Sequence, residues 1–127
     1  MKPSAPNLEE RVSVYGEHVI EFCHLVQLNA VSDPLVRQLV RSATSIGANY
    51  CEADEAQSKR DFRHKIALCR KETRETKYWL RMIAKACANQ AVAARELWRE
   101  AQELHLIFCA IIRTTDRNLK AEPKSSA

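Results

Sequence analysis

The sequence has few of the residues that interrupt helices. Its 127 residues include only two glycines and four prolines, and three of the prolines lie near the ends, at Pro3, Pro6 and Pro123. Hairpins depend on such residues, so their scarcity argues against an all-β fold. The longest apolar run, 106–112, is too short to cross a membrane, and residues 1–10 lack the apolar core of a signal peptide. We therefore expect a soluble helical protein with no membrane partner.

The five cysteines have no spacing that is typical of a metal site or a disulfide framework. Their number is odd, and none lies within three residues of another, so no Cys-x-x-Cys pair exists. A cysteine in a helical pattern usually packs as a small apolar side chain. We predict free thiols, no bound metal or cofactor, and a cytoplasmic location.

Apolar periodicity divides the chain into four amphipathic helices with short connections. Asn7 with Glu10 predicts the start of the first helix, and Ser58 with Asp61 predicts the start of the third. Pro34 is predicted to be the first residue of the second helix, capped by Ser32 or Asp33. The predicted helices are 7–29, 34–56, 59–88 and 90–119, flanked by disordered ends at 1–6 and 120–127. This pattern favours an all-α fold, an antiparallel up-down-up-down four-helix bundle.

The third predicted helix has two apolar rows and one basic row. The first apolar row runs from Phe62 to Cys87 in alternating steps of four and three residues, which is typical of a bundle seam. A helix that buries a second row indicates an oligomer, and from that row we predict a subunit interface at Leu68, Trp79 and Met82. The basic row, here called the basic strip, spans an arc of roughly 80° at about 100° per residue. It consists of Lys59, Arg63, Arg70, Arg74, Lys77, Arg81 and Lys85.

Positive charge is concentrated in this helix. Residues 59–85 contain ten Lys and Arg against three carboxylates, a local charge of +7, so the rest of the chain, whose total is +4, sums to −3. Concentrated positive charge indicates a phosphate-binding surface better than the overall charge does. The alternative is a solvated helix face that only aids solubility. Few aromatic residues accompany the strip, since Tyr78 is near it but Trp79 belongs to an apolar row, so base stacking is weakly supported.

Polar residues also occur where a plain bundle does not require them. Two carboxylates interrupt the second apolar row of the third helix, and a polar row follows the apolar face of the second helix. Buried carboxylates need hydrogen-bonding or charged partners. We therefore predict that Glu52, Glu72 and Glu75 pair with Asn49, Ser45 or arginines of a neighbouring helix or subunit, the alternative being ordinary exposed carboxylates. The predicted structural polar network is Ser42, Ser45, Asn49, Glu52, Glu72 and Glu75.

Catalytic motifs are lacking. A di-metal site in a four-helix bundle needs two Glu-x-x-His pairs, and the sequence has one, at Glu21 and His24, which point roughly 140–160° away from the first helix's apolar seam. The four histidines lie on separate turns, and neither a nucleophile motif nor a Gly-rich phosphate loop occurs. We predict no enzyme activity.

Two segments resemble the signatures of a bacterial protein family. They are 41–52, RSATSIGANYCE, and 61–80, DFRHKIALCRKETRETKYWL. Their sequence, order and separation are similar to those of the four-helix-bundle proteins of 23S rRNA intervening sequences, also called S23 ribosomal proteins. The resemblance implies a bundle that assembles as a ring-shaped homopentamer, without catalysis. The chain is also similar to the accessory protein of diversity-generating retroelements, which engages reverse transcriptase and nucleic acid.

Two classes of function remain open from the sequence. The first is a non-catalytic oligomer that binds RNA or DNA through phosphate contacts of the basic strip. The second is a protein-interaction scaffold with no role in nucleic-acid binding, whose strip contacts an acidic partner or keeps the oligomer soluble.

Overall fold

The computed structural model of the protein describes residues 7–122 and is all-α over this range. The four α-helices of these residues are α1 (Leu8–Leu25), α2 (Ser32–Asp54), α3 (Lys59–Ala86) and α4 (Ala91–Ala121), and a short 3-10 turn at Ala88–Gln90 precedes α4. None of these helices is long and apolar enough to cross a membrane. The disorder predicted for 1–6 and 123–127 falls outside the described residues.

The helices pack side by side, and α3 has the largest contacts. It lies along α2 on one side and α4 on the other, while α1 packs on α2 and touches α4 over a smaller area. Cross-helix contacts show that α2 and α3 run in opposite directions, because Arg41 meets Glu72, whereas Glu52, later in α2, meets Lys65, earlier in α3. The helices α3 and α4 are antiparallel as well, since Arg63 contacts Asp116.

The first apolar row of α3 lies in the core. Between Ile66 and Ile83, all its members are less than 2% exposed. Two of them are threonines, and Thr73 satisfies its hydroxyl by donating to the carbonyl oxygen of Cys69 at 2.6 Å. Burial raises the pKa of the Cys69 thiol to about 12, so this cysteine packs as a neutral side chain. The opposite face of α3 is thereby left for charged residues.

The turn between α1 and α2 shortens the first helix relative to the prediction. α1 ends at Leu25 rather than at residue 29, and α2 begins at Ser32 rather than at Pro34. The side-chain oxygen of Asn29 accepts hydrogen bonds from the backbone N–H groups of Val31 and Ser32, both at 2.9 Å. The Ser32 hydroxyl donates to the carbonyl oxygen of Gln27 at 2.7 Å. These bonds fix a turn that competes with helix continuation.

The end of α4 extends beyond its predicted boundary. The helix continues to Ala121, so residues 120 and 121 are helical where a disordered tail is predicted. Two ion pairs connect this end to the start of α3, Lys59 with Glu122 at 2.8 Å and Arg63 with Asp116 at 2.9 Å. The sequence pattern did not indicate these tertiary contacts.

Candidate nucleic-acid interface

The basic strip divides into a paired part and an unpaired part. At the start of α3, Lys59 pairs with Glu122, and Arg63 makes a two-point contact with Asp116. The hydrogen bonds raise the pKa of Arg63 and lower that of Asp116, as expected for a direct pair. These two cations are largely neutralised within the molecule.

The remaining members of the strip form no ion pair with any carboxylate of residues 7–122. They occupy α3 from its middle to its last turn, and the span from Arg70 to Arg81 is about 16 Å along the helix at 1.5 Å per residue. Close like charges repel one another, so their juxtaposition costs stability unless an anion joins them. The unpaired members are Arg70, Arg74, Lys77, Arg81 and Lys85.

A first cavity lies beside Arg70 and Arg74. It has a volume of about 340 Å³, and Lys71 and His105 contribute to its lining. The Nδ1 atom of His105 is buried without a hydrogen-bond partner among the described residues. Burial lowers the pKa of His105, and the cations of Lys77, Arg70 and Arg74 lower it further. Three cations and a half-buried imidazole therefore converge where a phosphate could be bound.

Lys77 lies at the middle of the strip and connects α3 to α4. Its ammonium group donates to the Oε1 atom of Gln102. The same nitrogen lies 4.8 Å from the ring centroid of Trp98, in a cation–π arrangement. Lys77 thus fixes the position of the Trp98 ring next to the basic strip.

A second cavity lies at the far end, beside Arg81. Its volume is about 410 Å³, and its lining comes from Leu80, Ala84 and Ala94 together with Arg81, Arg95 and Trp98. No carboxylate lines either this cavity or the first one among the described residues. The alanines and the leucine give this end an apolar floor with a cationic rim.

Both cavities lie where α3 packs against α4, and we call this stretch the α3–α4 groove. Its second wall comes from α4. The residues of that wall recur at steps of three, four and three, the spacing of one helix face. The apolar periodicity of the sequence does not mark this wall, although the spacing of its residues is a readable signal. We define the groove by Arg70, Lys71, Arg74, Lys77 and Arg81 of α3 and by Arg95, Trp98, Gln102 and His105 of α4.

The other side of α4 forms a second groove with α1, and its charges differ. This α1–α4 groove encloses about 370 Å³ and is lined by His18, Glu21, Glu96 and Glu100 together with apolar residues. The guanidinium of Arg11 donates two hydrogen bonds to Glu100, at 2.7 and 2.9 Å, and one to Glu103 at 2.6 Å. The hydrogen bond from Arg11 is the main cause of the lowered pKa of Glu100.

The predicted polar network is divided among several partners. Both Glu72 and Glu75 contact Arg41 of α2, at 3.3 and 3.0 Å. The side chain of Glu72 is only 12% exposed, so Arg41 compensates a largely buried charge. Glu52, in contrast, is exposed and pairs with Lys65 at 2.7 Å.

The serine and asparagine of the network do not contact these carboxylates, contrary to one of the predicted pairings. Ser45 and Asn49 donate instead to backbone carbonyl oxygens one turn earlier in α2, at 2.6 and 2.8 Å. Such bonds are available locally to short polar side chains in a helix and need no cross-helix partner. Ser42 is fully buried, and its hydroxyl lies 2.9 Å from that of Thr76 on α3.

The residues predicted for a subunit interface are half-buried within the single chain. Leu68, Trp79 and Met82 each retain part of their exposure. Trp79 packs against the core and makes an edge-on contact with Tyr78, with ring centroids 5.0 Å apart. Partial exposure in the single chain does not test whether these residues contact another subunit, so the subunit interface stays a prediction.

Metal-ligating side chains do not cluster in the described part of the chain. No group of three or more His, Cys, Asp or Glu residues within 7–122 could hold a metal ion. Glu21 and His24, the pair singled out from the sequence, are both exposed on α1, and Glu21 lines the α1–α4 groove.

Comparison with known proteins identifies the family. The family model of the 23S rRNA-intervening sequence protein matches residues 18–110, which include both motifs and all residues of the α3–α4 groove. A solved structure from Bacteroides thetaiotaomicron, of a protein with unknown function from the S23 ribosomal protein family, shares 26% identity over 82% of this chain and 96% of that chain, with a TM-score of 0.71. A comparison with curated proteins gives no match. The resemblance of the two motifs is thus confirmed, and the chain belongs to the 23S rRNA-intervening sequence protein family.

Proposed function

We propose that this protein is a non-catalytic nucleic-acid-binding protein of the bacterial cytoplasm and that it contacts phosphates through the α3–α4 groove. The observation that carries the proposal is the cation-rich groove itself. Arg70, Arg74 and Lys77 on one wall and Arg95 on the other have no carboxylate partner within residues 7–122. Backbone phosphates would supply the missing negative charge without sequence readout.

An oligomer would multiply this surface. The family resemblance implies a ring-shaped homopentamer, and we propose that form for this chain. Repeating the groove around a ring would add phosphate contacts and make binding strongly dependent on salt. Light scattering on a sizing column tests the assembly, and a monomer would contradict it.

Binding of a labelled RNA by fluorescence anisotropy, followed over a salt series, tests the function. Arg70→Glu combined with Arg74→Glu should lower the affinity about a hundredfold, because a hydrogen bond to a charged group contributes about 1.5 kcal/mol and 1.4 kcal/mol corresponds to tenfold. The logarithm of the binding constant should also depend less steeply on salt, by about one unit per lost phosphate contact.

A matched control distinguishes binding in the α3–α4 groove from a general electrostatic attraction between the protein and RNA. Arg37→Glu makes the same charge change as Arg74→Glu, on an exposed arginine of α2 whose one ion pair within residues 7–122 is with Asp33, one turn away. The proposal requires a much larger loss for Arg74→Glu than for Arg37→Glu. Equal losses, or no binding at low salt, would contradict it.

A protein-interaction scaffold is the second candidate, and one observation favours it. Large apolar side chains are exposed at the end of the bundle where α1 ends and α4 begins, among them Leu25 at 67% and Val92 at 68%. Exposed apolar groups that lie close together are typical of protein contacts. Under this alternative the partner is a protein, and the similarity to the retroelement accessory protein suggests a reverse transcriptase. Pull-down of such a protein by the wild type, but not by a Leu25→Ser and Val92→Ser variant, would support it.

A further inference from the structure

The second cavity of the α3–α4 groove has features that phosphate contacts alone do not need. Its floor is apolar, formed by Leu80, Ala84 and Ala94. A surface that bound only phosphates would gain nothing from apolar lining, since phosphate oxygens need N–H donors and positive charge. Because Leu80 and Ala94 are core residues that are only 1% exposed, the apolar surface open to a ligand comes mainly from Ala84 and Trp98, and an apolar, flat group would contact these two side chains.

Trp98 supplies a wall of this cavity. Its side chain is partly exposed, and Lys77 lies over the ring at 4.8 Å. Since Lys77 also donates to Gln102, both the ammonium group and the ring have defined positions. Trp98 lines the cavity, whereas Lys77 is not among the described residues that do. Trp98 remains 37% exposed with Lys77 over its ring, so part of the ring is available to a ligand.

We propose that this cavity binds one unpaired nucleobase, stacked on Trp98, and that the α3–α4 groove therefore prefers single-stranded to double-stranded nucleic acid. Arg81 and Arg95 lie at the rim, where they would contact the phosphates on either side of that base. The inference rests on the proposed function and adds the class of nucleic acid to it.

The cavity can distinguish single strands from duplexes because the bases of a duplex are already stacked and paired. A duplex offers the groove only its phosphates, so the tryptophan contributes nothing to its binding. A single strand can turn one base into the cavity, and stacking on an aromatic side chain is tolerant of base identity. The basic residues should therefore affect both ligands, and Trp98 only one.

Parallel titrations of a labelled oligothymidylate and of its duplex with oligoadenylate test this difference. Trp98→Ala should weaken binding of the single strand about tenfold, within the range reported for loss of one stacked base. Duplex binding should change less than about twofold, since no base leaves its stack. Trp98→Phe keeps a ring and should restore most of the single-strand affinity, and thermal melting of each variant shows that the bundle remains folded.

Tryptophan fluorescence gives a second readout without any labelled probe. The chain has two tryptophans, so Trp79→Phe leaves Trp98 as the sole emitter. Oligothymidylate should quench this emission and the duplex should not. Adding Arg81→Glu and Arg95→Glu to the Trp79→Phe variant should lower its affinity for both oligothymidylate and the duplex.

The outcomes separate this inference from the proposed function. Equal losses for single strand and duplex in Trp98→Ala, or no loss for either, would overturn the stacking site and leave the proposed function standing. A change of oligomeric state in Trp98→Ala without a change in the ratio of the two affinities would show that a second copy of the chain occupies the cavity. No binding of either nucleic acid by the wild type would overturn both proposals.

Discussion

The two grooves beside α4 use their charges differently. On the side of α4 that faces α1, Arg11 contacts Glu100 and Glu103, so the cation that α1 contributes is compensated by carboxylates of α4. In the α3–α4 groove, Arg70, Arg74 and Arg81 line cavities to which α4 contributes no carboxylate among the described residues. Over residues 95–105, α4 thus presents an acidic side to α1 and a basic, aromatic side to α3.

The difference between paired and unpaired charges indicates which charged residues stabilise the fold and which are available to bind a partner. Paired charges are compensated within the molecule, and removing one partner leaves the other exposed to a desolvation cost. Unpaired cations in close proximity oppose folding slightly and gain only when an anion binds. Substitutions on the paired side should therefore change stability and leave binding intact, and those in the α3–α4 groove should do the opposite.

The largest effect on stability should come from Arg41, a paired cation at the contact of α2 with α3. Arg41→Ala leaves the carboxylate of Glu72, whose side chain is only 12% exposed, without its cation. We expect a loss of about 2 kcal/mol in the free energy of unfolding, because an unsatisfied buried charged group is costly. Chemical denaturation measures it, and affinity for RNA should remain near the wild-type value.

Removing the carboxylates instead should have a smaller effect. Glu72→Ala and Glu75→Ala each leave Arg41, which is 48% exposed and can be hydrated. We expect lower melting temperatures in both variants, or dissociation of an oligomer if the contact extends to a subunit interface. Wild-type melting and assembly in both variants would show that these carboxylates are not structural.

Arg11 tests the paired side of α4 itself. Arg11→Ala should cost about 1 kcal/mol of stability, because partly exposed ion pairs contribute little more than that. Its affinity for RNA should equal that of the wild type, the reverse of the pattern expected for Arg74→Glu. A loss of RNA affinity as large as that of Arg74→Glu would contradict the comparison.

The same contact predicts a dependence of stability on pH. The hydrogen bond from Arg11 lowers the pKa of Glu100 below its ordinary value of 4.5, so the folded state binds this proton less readily than the unfolded state does. Its contribution is complete above about pH 4.5 and is lost as the pH falls through the folded-state pKa. Melting curves over this acid range should fall less steeply for Arg11→Ala than for the wild type.

The smallest effect concerns His105 in the α3–α4 groove. Burial and the neighbouring cations hold its pKa below the ordinary 6.5. A bound polyanion would offset these cations and raise the pKa, so binding would take up protons. RNA affinity should therefore increase modestly as the pH falls below about 6.5, and His105→Gln should reduce that increase. An unchanged pH dependence in His105→Gln would remove His105 from the interface.

Sequence patterns predicted the helices well because their periodicity is strong. The members of the first apolar row of α3 from Ile66 to Ile83 are buried, and Ser58 accepts a hydrogen bond from the backbone N–H of Asp61 at 3.0 Å. The misplaced end of α1 has a local cause, since a turn stabilised by Asn29 and Ser32 competes with a helix that those residues could also have continued. The ring-shaped assembly and the subunit interface remain predictions.

Only the α3 wall of the α3–α4 groove could be predicted from the sequence. The basic strip could be found because seven cations share one arc of α3. Which of them are paired depends on tertiary contacts, and so the pairing of Arg63 with Asp116, more than 50 residues away, was missed. Trp98 was overlooked for the same reason, because only helix packing places it next to Lys77.

Photo-cross-linking tests the central claim most directly, that nucleic acid lies in the α3–α4 groove. A single strand that carries a photoreactive uracil would be irradiated with the wild-type protein, and the modified peptides identified by mass spectrometry. We predict cross-links within 70–85 of α3 and 95–105 of α4, with Trp98 among the modified residues. Cross-links confined to α1, or to the side of α4 that carries Glu96 and Glu100, would contradict the account.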